Sequence, residues 1–523
     1  MNPLVLPEIV YWPIAPVLVL AGTAGLLLVV GSLRARPTGT AWNSLATVAA
    51  ACGSLILSVG AWSRVVDEGP IRVFSGAVVI DGFAVFLTTL VCASLAVAAL
   101  LAEPWLRRSG FDGPEFSVLA LLCAAGAIVM VQANDLIVLF LGLEVLSISL
   151  YVMAGFQISR AASREAAMKY FVLGSFSSAI FLYGIALVYG ATGSTQLHEI
   201  AGWLAGNVPT NRGVLLGGVM LMLVGLGFKV AAVPFHTWTP DVYQGAPTPV
   251  TGFMAAVAKA AGFAGLLRVF YVGFTTLQLD WRPVVFALAI LTMVVGSVAS
   301  VVQTDVKRML AYSSIGHAGF VLIGLQAASP QGLSSALFYL FVYAFMVLGS
   351  FGVVTLVERS GDTERATDTA GPGEPGDTAG PGEALEPGPG IGIDAFRGLS
   401  RRRAGLALTF TLFLLAQAGV PLTSGFMAKF YVIGSAVETG GYVLAVLAML
   451  SAAVAAFVYL RLVLAMYAGP GEHDDPAADS VESRLSVPVL AGAALGLCAA
   501  VTLIAGILPG PLLDWARQAT LFF

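Results

Sequence analysis

The chain has 523 residues, 58% apolar and 11% charged, with a formal net charge of -4 and a mean hydropathy of +0.89. Soluble domains carry about 25% charged residues, so this composition excludes a water-soluble enzyme or nucleic-acid-binding module. Apolar runs near 20 residues long recur from end to end, which predicts an all-α polytopic protein of the lipid bilayer, and the short alternating segments of an outer-membrane barrel are absent.

The N-terminal "MNPLVLPEIVYWPIAPVLVL" has no basic leader and no small-residue cleavage site. It is expected as a retained first span, not a signal peptide. Fourteen spans are expected in all. The first three, near 13–33, 42–62 and 80–102, form an N-terminal region 1–112. Spans four to eight follow near 115–132, 134–157, 169–191, 213–236 and 247–271. Spans nine to thirteen fall near 283–303, 309–328, 333–357, 404–437 and 441–467, and a C-terminal region 486–523 holds the last, near 486–509. Between spans eleven and twelve, residues 361–392 carry seven acids, one base, five prolines and the repeated "DTAGPGE", the composition of a disordered cytoplasmic loop.

Charges inside the spans single out candidates for function. An ionisable group at mid-bilayer costs about 2.5–3.5 kcal/mol on insertion scales, and such groups mark ion or proton pathways. Glu144 lies ten residues from Asn134, ~15 Å along a helix and half of a ~30 Å core. Lys259 lies twelve residues from Pro247 and Lys429 eleven before Gly440, ~18 and ~17 Å in. His317 lies eight residues into its span, with Ser313 one turn away on the same face. These four and Lys229 are expected to line a proton path. Lys169, Arg268 and Arg461 lie within a turn or two of span ends, where long side chains snorkel to the interface. Snorkelling is expected for Arg268 and Arg461, while Lys169 is open to either role. His236 and Asp241 flank the seventh span's end and fit a helix cap or a water-facing position equally; His198 and His473 are loop residues without a signal. The four cysteines, Cys52, Cys92, Cys123 and Cys498, lie in apolar stretches without C-x-x-C pairing and are expected as small core residues. No Walker loop, Rossmann fingerprint or zinc-protease motif is present.

Two prolines give the path its shape. Pro234 has no N–H, so the Val230 carbonyl should lose its partner and the seventh span should bend or part beside Lys229. Irregular backbone at membrane depth is tolerated where it lines a wet cavity or packs in protein. Pro421, eight residues ahead of Lys429, repeats the device and frees the Gln417 carbonyl. The segment 404–437 is too long for one ~20-residue helix and is expected as two half-helices. Two "VP" breaks, with "AMKYF" at Ala167–Phe171 echoed by "ALFYL" at Ala336–Leu340, suggest duplicated halves of the kind transporters use.

If the N-terminus faces outward, Arg64, Arg72, Arg212, Arg282 and Arg517 fall outside, fifteen Lys and Arg fall in inner loops, and six lie within spans. That is a positive-inside pattern, and an even span count returns the C-terminus outward. Four of the five lysines, all but Lys307, fall inside spans, whereas the loops use arginine. Arginine stays charged, but a desolvated lysine can titrate.

The stretches "FKVAAVPFHTWTPDVYQGAPTPVTGFMAAVAKAAGF" and "DVKRMLAYSSIGHAGF" resemble signatures of the antiporter-like subunits of proton-pumping NADH–quinone oxidoreductase (respiratory complex I), with the likeness strongest from about 130 to 435. The resemblance implies fourteen helices with inverted five-helix repeats, one over 113–271 (spans four to eight) and one over 283–467 (spans nine to thirteen). It implies proton-translocation roles for Glu144, Lys169, Lys229, Lys259, His317 and Lys429, with helix breaks at Pro234 and Pro421. The M-type branch typically has glutamate where this chain has Lys429, and the L-type branch adds a lateral helix for which fourteen residues after the last span leave no room, so the N-type branch is the best match. The implied protein is one subunit of a translocase in the cell's inner (plasma) membrane. It carries no redox centre or metal itself; NAD, FMN, iron–sulfur clusters and quinone belong to the whole complex, and its partners are an M-type chain and small quinone-side membrane subunits. The same fold also serves multisubunit cation/proton antiporters and membrane-bound hydrogenases.

Overall fold

A computed structural model describes residues 10–34, 37–368, 391–469 and 487–522, with the backbone alone for 359–368. Among the described residues, thirteen helices are long and apolar enough to cross a membrane: Trp12–Leu33, Thr40–Glu68, Gly82–Arg108, Glu115–Gln132, Leu136–Ala154, Ala161–Thr192, Arg212–Lys229, Thr248–Gly273, Thr275–Val301, Val306–Ala327, Pro330–Glu358, Tyr442–Tyr467 and Val489–Ile507. The twelfth in chain order is the broken element, Ala404–Ala418 followed by Ser424–Glu438, which brings the total to the fourteen expected. Spans three, eight, ten and eleven form the centre, their apolar windows 83 to 100% buried, whereas the first two spans and the thirteenth lie at the periphery, at 22 to 33%. Alanine and glycine in "GFMAAVAKAAGFAG" let the eighth span pack on every side, because small residues allow backbones to approach closely in lipid. Two turns of this span, Met254–Ala258 just before Lys259 and Val269–Gly273, are π-helical, a local widening frequently found at functional sites.

A short antiparallel hairpin, Ile71–Val73 with Val78–Ile80, lies between spans two and three, and short helices Leu197–Gly206 and Gly510–Gln518 lie outside the spans; none was expected. The helix of the eleventh span runs on to Asp368. The opening of the expected acidic loop is therefore helical, while the remainder through residue 390 lies outside the described residues, as do Arg36, His473 and Arg484.

One backbone pattern occurs twice. At the junction of spans four and five, Leu136 N–H donates to Thr195 O (2.9 Å) and Leu197 N–H to Asn134 O (2.8 Å). At the junction of spans nine and ten, Val306 N–H donates to Ile391 O (2.8 Å) and Ile393 N–H to Thr304 O (3.1 Å). In both places an aspartate caps the next helix, Asp135 through Ile137 N–H and Asp305 through Arg308 N–H.

Three expectations about charge and exposure are corrected. Arg268 does not snorkel. It is 1% exposed, forks onto Asp81 through two 2.9 Å bonds and lies over the Phe83 ring. Lys307, counted among loop cations, is buried and donates to Ala246 O (2.6 Å), at the end of the half-helix Trp238–Gly245. Cys52 is exposed on the second span, while the other three cysteines are buried, and all four are free thiols. Arg461 reaches the carbonyls of Val301 and Gln303, closing the end of the ninth span.

Candidate functional site

The seventh span stops at Lys229, five residues before the proline. Ala231 turns back in the left-handed region (φ 62°) and Ala232 N–H closes on Gly227 O. A threonine of the ninth span plugs the gap, its Thr292 Oγ1 accepting from Val233 N–H (2.9 Å). The chain resumes as the half-helix Trp238–Gly245. Lys229 was expected beside the freed Val230 carbonyl, but that carbonyl is not its hydrogen-bond partner. Lys229 Nζ donates instead to Ser147 Oγ (2.8 Å) and Tyr170 OH (3.2 Å), from spans five and six. Trp238 stacks on Tyr170 (4.6 Å between centroids, 9° apart) and donates to Phe228 O, which ties the resumed half-helix to this lysine's partner.

The second break is built the other way round. The half-helix ends at Ala418, Gly419 and Leu422 take φ 89° and 70°, and the lysine comes from the following half. Lys429 Nζ reaches back to Gln417 O and Ala418 O (2.8 Å each), the carbonyls the break leaves free. In both cases the ammonium lies at the C-terminal end of a half-helix, where the dipole and unpaired carbonyls favour a cation.

Between them lie Lys259 and His317. Gly262 is the close approach that brings Lys259's helix against the first site, since a Cβ there would lie 2.9 Å from Val230 Cγ1 and 3.3 Å from Lys229 Cγ. Lys259 Nζ donates to the carbonyl and hydroxyl of Ser314 (2.5 Å each), and that hydroxyl also accepts from Tyr343 OH (2.8 Å). His317 stands against the Tyr343 ring, with Nδ1 2.7 Å from Tyr339 OH and Nε2 3.1 Å from Tyr459 OH, which also bonds Ser313 Oγ. A small polar cavity lined by His317, Ser313, Tyr459, Gln417 and Lys429 connects the histidine to the last lysine. Lys229, Lys259, His317 and Lys429 are 3 to 6% exposed, so each must satisfy its polar atoms inside the protein.

Glu144 and Lys169 lie apart from this line. Glu144 is half-buried on the fifth span, three residues before Ser147, with exposed Leu141, Val145 and Ile148 around it and one buried carboxylate oxygen without a partner among the described residues. No ion pair joins it to Lys229 among the described residues. Lys169, 41% exposed, is paired with Glu165 (2.6 Å) and Asp241 (2.8 Å), and Asp241 also takes Arg308 (2.7 Å). His236 is half-buried, with Nδ1 unpartnered among the described residues. Apart from Ser313, the hydroxyls were missed in the sequence. A usable signal was present: "AMKYF" and "ALFYL" align Tyr170 with Tyr339, and these two tyrosines serve Lys229 and His317 respectively.

A family model described as NADH:quinone oxidoreductase/Mrp antiporter, TM, matches residues 133–371 and 390–455. A Mycobacterium tuberculosis protein named NADH-quinone oxidoreductase subunit N is 46% identical over 426 residues, 81% of this chain and 74% of that protein. A Streptomyces griseus protein named NADH-quinone oxidoreductase subunit N 3 is 40% identical, covering 100% and 96%. Among solved structures, a chain of Thermus thermophilus respiratory complex I with bound aureothin is 32% identical with a TM-score of 0.73, over 95% of this chain and 98% of that one. A chain of the Dietzia Mrp complex shares the fold, with a TM-score of 0.77 at 20% identity over 97% and 96%.

Proposed function

Because this chain belongs to the NADH:quinone oxidoreductase/Mrp antiporter transmembrane family, we propose that it is a proton-translocating membrane subunit of NADH–quinone oxidoreductase, the N-type antiporter-like chain of respiratory complex I. The observation that carries this reading is the succession of buried bases, each held by a hydroxyl or a freed carbonyl, from Lys229 through Lys259 and His317 to Lys429. Buried ionisable groups inside a membrane bundle are functional by default. Here, hydroxyls that both donate and accept stand beside three of the four bases.

In the mechanism we infer, Lys229 holds a proton on Ser147 and Tyr170, and the carboxylate of Glu144, one turn from Ser147, favours its charged form. Weakening that influence releases the proton toward Lys259. It then moves over Ser314 and Tyr343 to His317, and through the polar cavity to Lys429 and the outer side. The cavity has room for about one water molecule. The drive comes from quinone reduction on partner subunits, which also carry NAD, FMN and the iron–sulfur clusters. Lys169, near the arginine-rich end, is placed to supply protons to the seventh span through Asp241. The repeated pairing at Asn134–Leu136 and Thr304–Val306 supports two repeats of five spans. We place the chain in the cell's inner (plasma) membrane with both termini outward, beside an M-type chain and the small quinone-side subunits. The face of the fifth span beside Glu144, with exposed Leu141, Val145 and Ile148, fits a subunit contact.

A cation/proton antiporter or membrane-bound hydrogenase subunit is the second reading, because the fold matches the Mrp chain as closely as the complex I chain. The identities of 36 to 46% to proteins named as subunit N favour the first. Pull-down of the tagged chain in a gentle detergent, assayed for NADH–quinone reductase activity, separates them. Activity travelling with the chain supports the complex I reading; other antiporter-like chains without that activity move the function to the second.

A further inference from the structure

At the arginine-rich end of the bundle, beneath Lys259, lies a second charged cluster that the path above does not use. Glu358, the last residue of the eleventh span, has a side chain 12% exposed. Its Oε1 accepts from Arg160 Nη1 (3.2 Å) and its Oε2 from Thr248 Oγ1 (2.5 Å). Arg160 is 43% exposed, so the carboxylate has one side toward water. Lys307 and Asp305 also face it, from the start of the tenth span. A cluster that only pinned helices would pair its two buried charges directly. Lys307 instead bonds the Ala246 carbonyl, and the carboxylate is left to a hydroxyl and a guanidinium that can turn to solvent.

Thr248 opens the eighth span, and Lys259 stands eleven residues further on, ~16 Å along the helix. Polar groups mark the interval. Thr251, fully buried, lies within the first turn, the Tyr243 hydroxyl lies beside Ser314, and Ser314 Oγ accepts from Lys259 Nζ. The π-helical turn Met254–Ala258 falls in the same stretch.

We propose that the line is loaded at two points in each cycle, at Lys229 and again at Lys259, and that Glu358 is the carboxyl group that loads Lys259 with protons from the arginine-rich side, with Thr248 as its first relay. The inference rests on the proton-translocating reading above. In the loading step the Glu358 O–H bond breaks, the proton passes by way of Thr248, water and the hydroxyls of Tyr243 and Ser314, and an N–H bond forms on the neutral Lys259 amine. The carboxylate then takes a proton back from water beside Arg160, so the group is restored each cycle.

The test uses the intact complex, purified and reconstituted in liposomes, with NADH-driven proton uptake measured per assembled complex. Glu358→Gln should lower pumping about tenfold, a modest share of what a positioned proton-transfer group contributes, and Glu358→Asp should restore most of it. NADH oxidation by a water-soluble electron acceptor should stay unchanged in both. Wild-type pumping by Glu358→Gln, or no recovery in Glu358→Asp, overturns the proposal. If Glu358→Gln fails to assemble, Thr248→Val decides, since it keeps the ion cluster and removes the relay; unchanged pumping there also overturns it. Lys259→Met runs in parallel. If Lys259→Met pumps normally, the proton-path reading itself fails; if it stops pumping while Glu358→Gln does not, this inference alone fails.

Discussion

The two helix breaks present a lysine in different ways. At the first, Lys229 ends its own half-helix and is held by side chains of spans five and six, Ser147 and Tyr170. At the second, Lys429 belongs to the later half-helix and is held by backbone carbonyls of the earlier one, Gln417 O and Ala418 O. A hydroxyl both donates and accepts, so it can bond an ammonium and also donate to the lone pair of a free amine. A carbonyl can only accept. The first site thus has a partner for either protonation state of its lysine, and the second holds the ammonium but offers nothing to the lone pair. If Lys229 is the loading end and Lys429 the releasing end, this asymmetry gives the line a direction.

Removing each lysine tests the comparison most strongly. Lys229→Met should lower both NADH-driven pumping and coupled quinone reduction about tenfold, less than the 10²–10⁴ of an isolated acid–base group, because other antiporter-like chains share the work. Lys429→Met should match it. Unchanged pumping by a fully assembled Lys229→Met complex would sink the proposed path. A large loss at one lysine with none at the other would mean the two breaks are not ends of one line.

Glycine substitutions come next. Gly262→Val pushes a branched side chain against Val230 and the stem of Lys229, where even a Cβ is too close. It should cost about 1–3 kcal/mol as overpacking and disturb the first site while leaving the second intact. Gly419→Ala strains the second turn, where φ is 89° and a Cβ would lie 3.0 Å from Lys429 Cδ, at about 1 kcal/mol for the left-handed backbone. Thermal denaturation of the purified complex reads the cost of each. Pumping per assembled complex reads whether the lysine moved. If Gly262→Val pumps normally, tight contact between the two lysine-bearing helices is not required.

Much of this was legible in the sequence because it is local. Charges stand out in apolar runs, so Lys229, Lys259, His317 and Lys429 were found. Pro421, Gln417 and Lys429 lie within one segment, so the carbonyl that the break frees could be named, though not that Lys429 would take it. What could not be read depended on residues distant in sequence. Ser147 and Tyr170 lie 82 and 59 residues from Lys229, and a hydroxyl in a span carries no signal of the helix it will face. Arg268 resembled an interfacial arginine because Asp81 is 187 residues away. Lys307 sits at a span's first turn and reads as a loop cation; the packing of the Trp238–Gly245 half-helix against it is what buries it. The sequence also placed the first break at Pro234, whereas the helix already ends at Lys229, because the chain turns back through Ala231 and Val233 N–H finds Thr292 in another span.

The smallest expected effects give the sharpest contrast between the two sites. Ser147→Ala removes one of two hydroxyls from a buried ammonium and should cost about 1–3 kcal/mol as a lost charged hydrogen bond. At the second site the equivalent change should do almost nothing to the lysine. Gln417→Leu deletes the amide that donates to Ser350 Oγ (2.7 Å), yet the carbonyl that holds Lys429 is backbone and stays in place. Its cost should be about 1 kcal/mol for the lost hydrogen bond, since Ser350 Oγ keeps its bond to Met346 O (2.9 Å), with pumping per assembled complex near wild type. Equal pumping losses in Ser147→Ala and Gln417→Leu would show that the Gln417 side chain, which also lines the cavity, takes part in transfer. The second site would then depend on side chains as the first does, and the difference in chemistry that gives the line its direction would be lost.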